Sequence, residues 1–304
     1  MRPHKPNKSP PKDRKSKPPH GKPPHGKPPH SQNRAPGQNR APRAENNRER
    51  QGKKQENWIY GLHAIEAALA NPRRNLHRAV LTARAAEALG PKLAGRVRVE
   101  PADIEAIARL LPPGAVHQGA ALSCDPLPTR DLDEVLASSM AGLDPADQSE
   151  KKTRRIVLVL DQLSDPHNVG AILRTAAAFA VTAVVVQDRH APPQSGALTK
   201  AASGAMEIVP YVEVVNIARA LDKLGEAGFW RIALVGDGQE PIAQAAAQGD
   251  IALVVGSEGD GIRRLVREHC DTAAFIPIDK AMESLNVSNA AAIALYEIRR
   301  TEGS

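Results

Sequence analysis

The sequence predicts an α/β protein in which a parallel sheet, covered by helices, fills the C-terminal half and a smaller α/β unit and a basic tail come before it. Three observations carry this. After residue 154, apolar runs of four or five residues alternate with helical patterns, and near-continuous runs of that kind belong to strands buried on both faces. Between residues 57 and 126, strand and helix patterns alternate on a smaller scale. Before residue 57 there is almost nothing apolar to bury.

The tail comes first in the chain. Lys17-Pro18-Pro19-His20-Gly21 recurs as Lys22-Pro23-Pro24-His25-Gly26 and again from Lys27 to His30. Proline removes backbone donors, so residues 1–56 are expected to be disordered. His20, His25 and His30 are read as incidental to that repeat, and no metal is expected. The tail holds 16 Lys and Arg against 4 Asp and Glu, which leaves 25 against 30 in the remainder of a chain of formal charge +7. The basic character therefore belongs to the tail, where mobile cations would attract RNA phosphates without reading sequence. Cys124 and Cys270 are the only cysteines of the 304 residues. A disulfide framework is thereby excluded and a reducing cytosol expected. No run of about eighteen apolar residues occurs, so no membrane span is expected, and the basic N-terminus lacks the apolar core of a secretory signal.

In the small unit, Leu62, Ile65 and Leu69 mark an amphipathic helix, His77–Thr82 a strand, Ile104–Leu111 a second helix and Gly119–Ser123 another strand. His63 and His117 fit capping or core roles and stay outside the predicted site. Residues 127–153 mix Pro, Ser, Asp and Lys with a helical pattern around Leu132 to Leu136. They read as a linker with a helical turn, flexible enough to let the small domain swing.

From residue 154 the expected strands are Ile156–Leu160, Ala183–Val186, Ile208–Val212, Ile232–Val235, Ile251–Val255 and Ala274–Ile278. Ligands of such sheets gather at the carboxyl ends of the strands, and three polar segments fall there. Asp165-Pro166-His167-Asn168-Val169-Gly170-Ala171-Ile172-Leu173-Arg174 follows the first strand as a Pro-marked turn into a helix, with Asn168 at its start and Arg174 about two turns in. Leu253-Val254-Val255-Gly256-Ser257-Glu258-Gly259-Asp260-Gly261-Ile262 is a strand running into a Gly-rich loop. Ile276-Pro277-Ile278-Asp279-Lys280-Ala281-Met282-Glu283-Ser284-Leu285-Asn286 reads as the end of a buried strand and a polar loop. It opens a helix that runs to Arg300 on the apolar stripe Val287, Ala291, Ala294 and Ile298. Ser284 and Asn286 suit capping of that helix as well as ligand contact. The sequence argues against a dinucleotide fingerprint, because Gly236-Asp237-Gly238 meets Pro241 where its third Gly should stand and Gly256, Gly259 and Gly261 have the wrong spacing.

In this order and spacing, the three segments resemble the signature motifs of the SpoU (TrmH-like) branch of the SPOUT RNA methyltransferases, over residues 154–301. Ile59-Tyr60-Gly61-Leu62-His63 and Val116-His117-Gln118-Gly119 are similar to the substrate-binding domain that precedes the catalytic domain in rRNA-modifying members. The resemblance implies a C-terminal trefoil knot around Ser284, a homodimer through the knotted domain and S-adenosylmethionine as cofactor. Gly256, Ile276 and Leu285 match the backbone contacts to it, with Leu234 and Gly236 as neighbours. Arg174 matches the residue assigned to the ribose 2′-hydroxyl, either as its base or as the cation that stabilises the emerging alkoxide. A guanidinium rarely loses its proton, which favours the second role. Asn168, Glu258, Ser284 and Asn286 match the remaining polar positions. Asn168 and Asn286 are expected to orient Arg174 or the ribose, and Glu258 to hold Arg174 or a partner-chain residue. The implied activity is 2′-O-methylation of RNA in the cytoplasm, on a guanosine of large-subunit rRNA. Its rivals are tRNA as substrate and a non-catalytic RNA-binding assembly factor.

Overall fold

The computed structural model describes residues 56–140, 154–247, 249–279 and 281–302. Residues 1–55 of the expected tail and 141–153 of the expected linker lie outside them. The chain runs through β1 (Trp58–Tyr60), α1 (Leu62–Ala70), β2 (Leu76–Leu81), α2 (Ala83–Leu89), β3 (Arg98–Pro101), α3 (Ile104–Leu110), β4 (Ala120–Cys124) and α4 (Leu132–Met140). There follow β5 (Ile156–Asp161), α5 (Pro166–Ala178), β6 (Ala183–Gln187), α6 (Gly196–Ala202), β7 (Tyr211–Val214), α7 (Ile217–Glu226) and β8 (Phe229–Leu234). The last elements are β9 (Glu240–Pro241), α8 (Ile242–Ala245), β10 (Asp250–Gly256), α9 (Arg264–Glu268), β11 (Thr272–Phe275) and α10 (Val287–Glu302).

Seven strands form one parallel sheet in the order β7-β6-β5-β10-β8-β11-β9. Alternation along β5 shows why its sequence is apolar throughout. Ile156, Leu158 and Leu160 enter the core shared with α5, α6 and α10, whereas Val157 and Val159 enter the core on the opposite face with α4 and α7. Pro166 opens α5 as its first residue, and the Asp165 carboxylate accepts from the amides of His167 and Asn168. Parallel β5 and β10 lie side by side, with Ile251 opposite Ile156 and Gly256 opposite Asp161, so the polar segments following them emerge together.

Three expected strands shift, β8 by starting early at Phe229. β7 starts at Tyr211, because Ala205–Glu207 close a 3-10 turn and Ile208 is left 69% exposed. β11 ends at Phe275 and Ile278 is 39% exposed, so the segment Ile276–Ile278 is not the buried strand its apolar side chains suggested. β11 is registered along β8 only from Thr272 to Ala274, and Pro277 offers no amide to extend a ladder. Among the described residues no helix is long and apolar enough to cross a membrane.

The small unit is a four-stranded sheet in the order β1-β4-β2-β3, with α1, α2 and α3 around it. It sits against α6 and the turn that follows. A methyl on Gly196 would overlap the Tyr60 ring and the Trp58 carbonyl, so only glycine permits this approach. Gly204 turns at φ +91° beside Ala67. Buried at the junction, Glu207 accepts from Asn71 Nδ2 at 2.7 Å, from Arg74 Nε at 3.1 Å and from Arg74 Nη2, while Arg74 Nη1 reaches the Asp125 carbonyl at 3.0 Å. These contacts seat the small domain against the catalytic one. The described part of that linker is packed as well: Leu127 rests on the main core, and α4 buries Leu132, Val135 and Leu136 on the sheet.

Candidate active site

At the carboxyl edge of the sheet, Asp161 closes β5 and is completely buried. A buried carboxylate needs compensation. Arg263 supplies it, donating from its backbone amide (2.9 Å), Nε (2.9 Å) and Nη2 (2.6 Å). That ion pair anchors the loop after β10. Within the loop, Ser257 and Gly261 exchange backbone bonds of 3.1 Å, and Gly259 and Gly261 take positive φ, so the chain reverses tightly and Glu258 stands at the bend.

Three distant segments meet there. Glu258 Oε1 accepts from Asn286 Nδ2 at 2.7 Å and from Asn168 Nδ2 at 3.2 Å, and Asn286 Nδ2 also donates to Asn168 Oδ1 at 3.1 Å. Asn286 serves two purposes. Its Oδ1 caps α10, accepting from the amides of Ser288 (3.0 Å) and Asn289 (3.4 Å) and from Ser288 Oγ (2.6 Å), while its amide nitrogen faces the cluster. Ser284 is exposed beside it and makes no hydrogen bond among the described residues.

Next to this cluster lie the positions matched to the cofactor. Gly256 ends β10 where a methyl would overlap the carbonyl group of Gly261 and the amide nitrogen of Ile262, so the loop can fold back only over glycine. Leu234, at the end of β8, and Ile276, just past β11, are half-buried and packed on the rim of the core. Leu285 is likewise half-buried. A Cβ on Gly236 would meet nothing within 4 Å. No turn or close contact demands glycine there, which leaves room for a ligand. Gly238 differs, because its Cβ would collide with the backbone of Ala274 and Phe275. Between β11 and α10, Ile278 (39%) and Met282 (62%) face solvent. Half-buried Leu234, Ile276 and Leu285 beside the open space at Gly236 suit an adenine ring, so the residues present fit an adenosyl cofactor.

Arg174 is not brought into the cluster. Six residues beyond Asn168, it lies about 9 Å further along α5 and points to a different side of that helix. It is exposed, and it makes no hydrogen bond or ion pair among the described residues. Within one copy of the chain, Asn168 and Asn286 bond to Glu258 and to each other, and neither reaches Arg174. Arg174 instead lines a cleft of about 780 Å³ between α5 and α1, together with His63, Glu66, Lys92 and Ser203. His117 neither caps a helix nor enters a core; its Nδ1 accepts from the Gly119 amide at 3.2 Å in the loop before β4. His63 departs from expectation, because it is exposed and lines this cleft.

Sequence reasoning missed Asp161, Arg263, Glu66 and Lys92. For Asp161 there was a signal, an acid closing an otherwise apolar strand; the other three carry no pattern. Among the described residues, no group of three His, Cys, Asp or Glu could hold a metal ion.

Comparison with known proteins follows this geometry. Residues 155–296 match the model of the SpoU rRNA Methylase family, and residues 58–130 match the domain described as RNA 2′-O ribose methyltransferase substrate binding. A protein of Vibrio vulnificus named 23S rRNA (guanosine-2′-O-)-methyltransferase RlmB is 38% identical over 251 residues, covering 80% of this chain and 96% of that protein. Among solved structures, a putative RNA methyltransferase of the TrmH family from Porphyromonas gingivalis aligns with a TM-score of 0.61 at 25% identity, over 81% of this chain and 90% of that one. The SpoU methyltransferase AviRb from Streptomyces viridochromogenes, solved with the cofactor AdoMet, aligns with a TM-score of 0.66 at 20% identity, over 85% and 94% of the two chains.

Proposed function

This chain belongs to the SpoU rRNA methylase family, and on that premise we propose how its three converging loops serve methyl transfer to RNA. The protein is an S-adenosylmethionine-dependent RNA (ribose-2′-O)-methyltransferase, and its substrate is a guanosine of 23S rRNA. The observation that carries the site assignment is the hydrogen-bonded union of Asn168, Glu258 and Asn286, one residue from each motif.

When bound, S-adenosylmethionine supplies an activated methyl group. In our reading Gly256, Ile276 and Leu285 hold it through backbone groups, with Leu234 and Gly236 beside them. Ser284 and the amides of Asn168 and Asn286 position the ribose, and Glu258 fixes both amides. Holding the oxygen in line with the methyl supplies much of the acceleration. Arg174 stabilises the negative charge that emerges on the ribose oxygen, a role that asks for no loss of its own proton.

A trefoil knot is part of the reading. It is supported by the path after β11, which lies beyond β8 from β10, yet the chain returns to start α10 in contact with Glu258 after β10 and Asn168 on α5. So is a homodimer. α10 presents Ile293 (39% exposed) and Tyr296 (54%) on the face turned from the core, and a second copy packed there would bring one α5 towards the loops of the other. That arrangement lets Arg174 of one copy face the methyl donor of its partner. Residues 57–126 act as the RNA-binding domain and residues 154–304 as the catalytic one, working in the cytoplasm.

Transfer of labelled methyl groups into 23S rRNA and into tRNA, by the wild type and by Arg174→Ala, tests this. We expect label in 23S rRNA, none in tRNA, and a loss of at least about a hundredfold in the variant, the scale of removing one transition-state donor. Label confined to tRNA would transfer the activity to the other substrate. RNA binding without label would leave a non-catalytic binding protein.

A further inference from the structure

The cleft between α1 and α5 joins the substrate-binding domain to the catalytic one, and its charged groups divide by how firmly they are already held. Arg74, behind it, is buried on Glu207. Lys200 Nζ, at the domain junction, donates to Gln118 Oε1 at 2.9 Å, and that oxygen also accepts from the Leu62 amide at 3.2 Å. Those cations hold the domains together and are not free for a ligand. Arg174 and His63 make no hydrogen bond among the described residues, and both line the cleft. Lys92 is held only by Glu66, in an ion pair whose side chains are 54% and 43% exposed.

An exposed pair of this kind contributes little to stability, so an incoming anion can displace the carboxylate at small cost. The hydrogen bond from Lys92 holds the Glu66 carboxyl below its ordinary range. The Glu66 carboxylate is therefore charged at neutral pH, and the exchange swaps one anion for another. Ala67, Leu69 and Ala70 give the cleft an apolar wall, Ser203 adds a hydroxyl, and its volume of about 780 Å³ suits a nucleotide unit. The Arg74–Glu207 pair beside the cleft holds its two walls against each other.

We propose that this cleft seats a phosphodiester of the RNA substrate, with Lys92 as its cationic ligand and Glu66 as the group the phosphate displaces from Lys92. The proposal rests on the methyltransferase reading only for the identity of the polymer. Lys92 then binds and positions the strand and takes no part in the chemical step. Glu66 sets how strongly a polyanion must bind before it is admitted.

The test is equilibrium binding of a 23S rRNA transcript without S-adenosylmethionine, over a range of salt, for the wild type, Lys92→Ala, Lys92→Arg and Glu66→Gln. Lys92→Ala is expected to weaken binding about five- to tenfold and to lower the slope of log affinity against log salt by about 1. Lys92→Arg restores both, and Glu66→Gln tightens binding about two- to threefold. In turnover, Lys92→Ala raises KM for RNA by the same factor while kcat stays within about twofold, as loss of uniform binding requires. A Lys92→Ala protein with wild-type affinity and slope overturns the proposal, as does a Glu66→Gln protein that binds more weakly. Since binding is read without methyl donor, these effects in a protein that transferred no methyl would refute the enzymatic reading and leave the cleft assignment standing.

Discussion

Removing the carboxylate of Glu207 should uncouple the substrate-binding domain from the catalytic one. The side chains of Arg74 and Glu207 are 1% and 3% exposed. Glu207 accepts from Arg74 Nε and Nη2 and from Asn71 Nδ2. In Glu207→Ala the guanidinium keeps, among the described residues, the hydrogen bond to the Asp125 carbonyl at 3.0 Å but loses its carboxylate partner while still enclosed. Deleting one partner of a buried pair costs about 3–5 kcal/mol, whereas replacing both by apolar residues of similar volume is often neutral. Glu207→Ala should therefore cost about 3–5 kcal/mol and the double variant Arg74→Met/Glu207→Leu far less, a coupling of about 2 kcal/mol or more. The assay is urea unfolding followed by fluorescence. Trp58 lies in β1 of the small sheet and Trp230 in β8 of the large one, and they are the only tryptophans. Single-tryptophan variants thus report each domain, and Glu207→Ala should move the Trp58 transition to lower urea ahead of that of Trp230. A cost below about 1 kcal/mol, the scale of a surface pair, or additive single and double variants, would refute the reasoning.

Gly256→Ala should lose S-adenosylmethionine binding and about 1–3 kcal/mol of stability, because the added methyl has no space beneath Gly261 and Ile262. Gly236→Ala, placed in open space, should keep the wild-type Tm and still weaken cofactor binding; calorimetry and thermal unfolding separate the two variants. Asp161→Asn removes the charge that holds Arg263 and with it the Glu258 loop, so the Kd for S-adenosylmethionine should rise about tenfold, ~1.4 kcal/mol; an unchanged Kd would contradict this. Burial pushes the Cys124 thiol up to about 11 and that of Cys270 to about 12, so both stay protonated well above neutrality. A disulfide reagent at about pH 8 should then leave both untouched in the folded protein and label both after denaturation, since the thiolate is the reactive form.

Burial on both faces made β5, β6 and β10 legible, because the residues between the ends of these strands are apolar on both faces. Strands at the margins were less visible. β3 reads Arg98-Val99-Glu100-Pro101, an edge strand whose side chains are mostly exposed, and β9 has two residues, one of them Pro241. β11 begins with Thr272 and small alanines, so its apolar signal was displaced onto Ile276 and Ile278, which lie past the sheet. For the site, motif order put Asn168, Glu258 and Asn286 together, and their hydrogen bonds agree. The direction of Arg174 could not be read that way, because helical spacing sets its angle to Asn168 but not which neighbour covers that side of α5. Nor could the pairing of Arg74 with Glu207, two ordinary surface residue types 133 positions apart.

The most direct measurement of the central claim is alkaline hydrolysis of 23S rRNA labelled by this protein from methyl-labelled S-adenosylmethionine. A methyl on the 2′-oxygen blocks cleavage of the adjoining phosphodiester, so the label should survive in an alkali-stable dinucleotide that begins with guanosine, and it should be absent when Arg174→Ala replaces the wild type. Label released in mononucleotides, as a methylated base would give, or retained by the variant, would contradict transfer to a ribose oxygen under the control of Arg174.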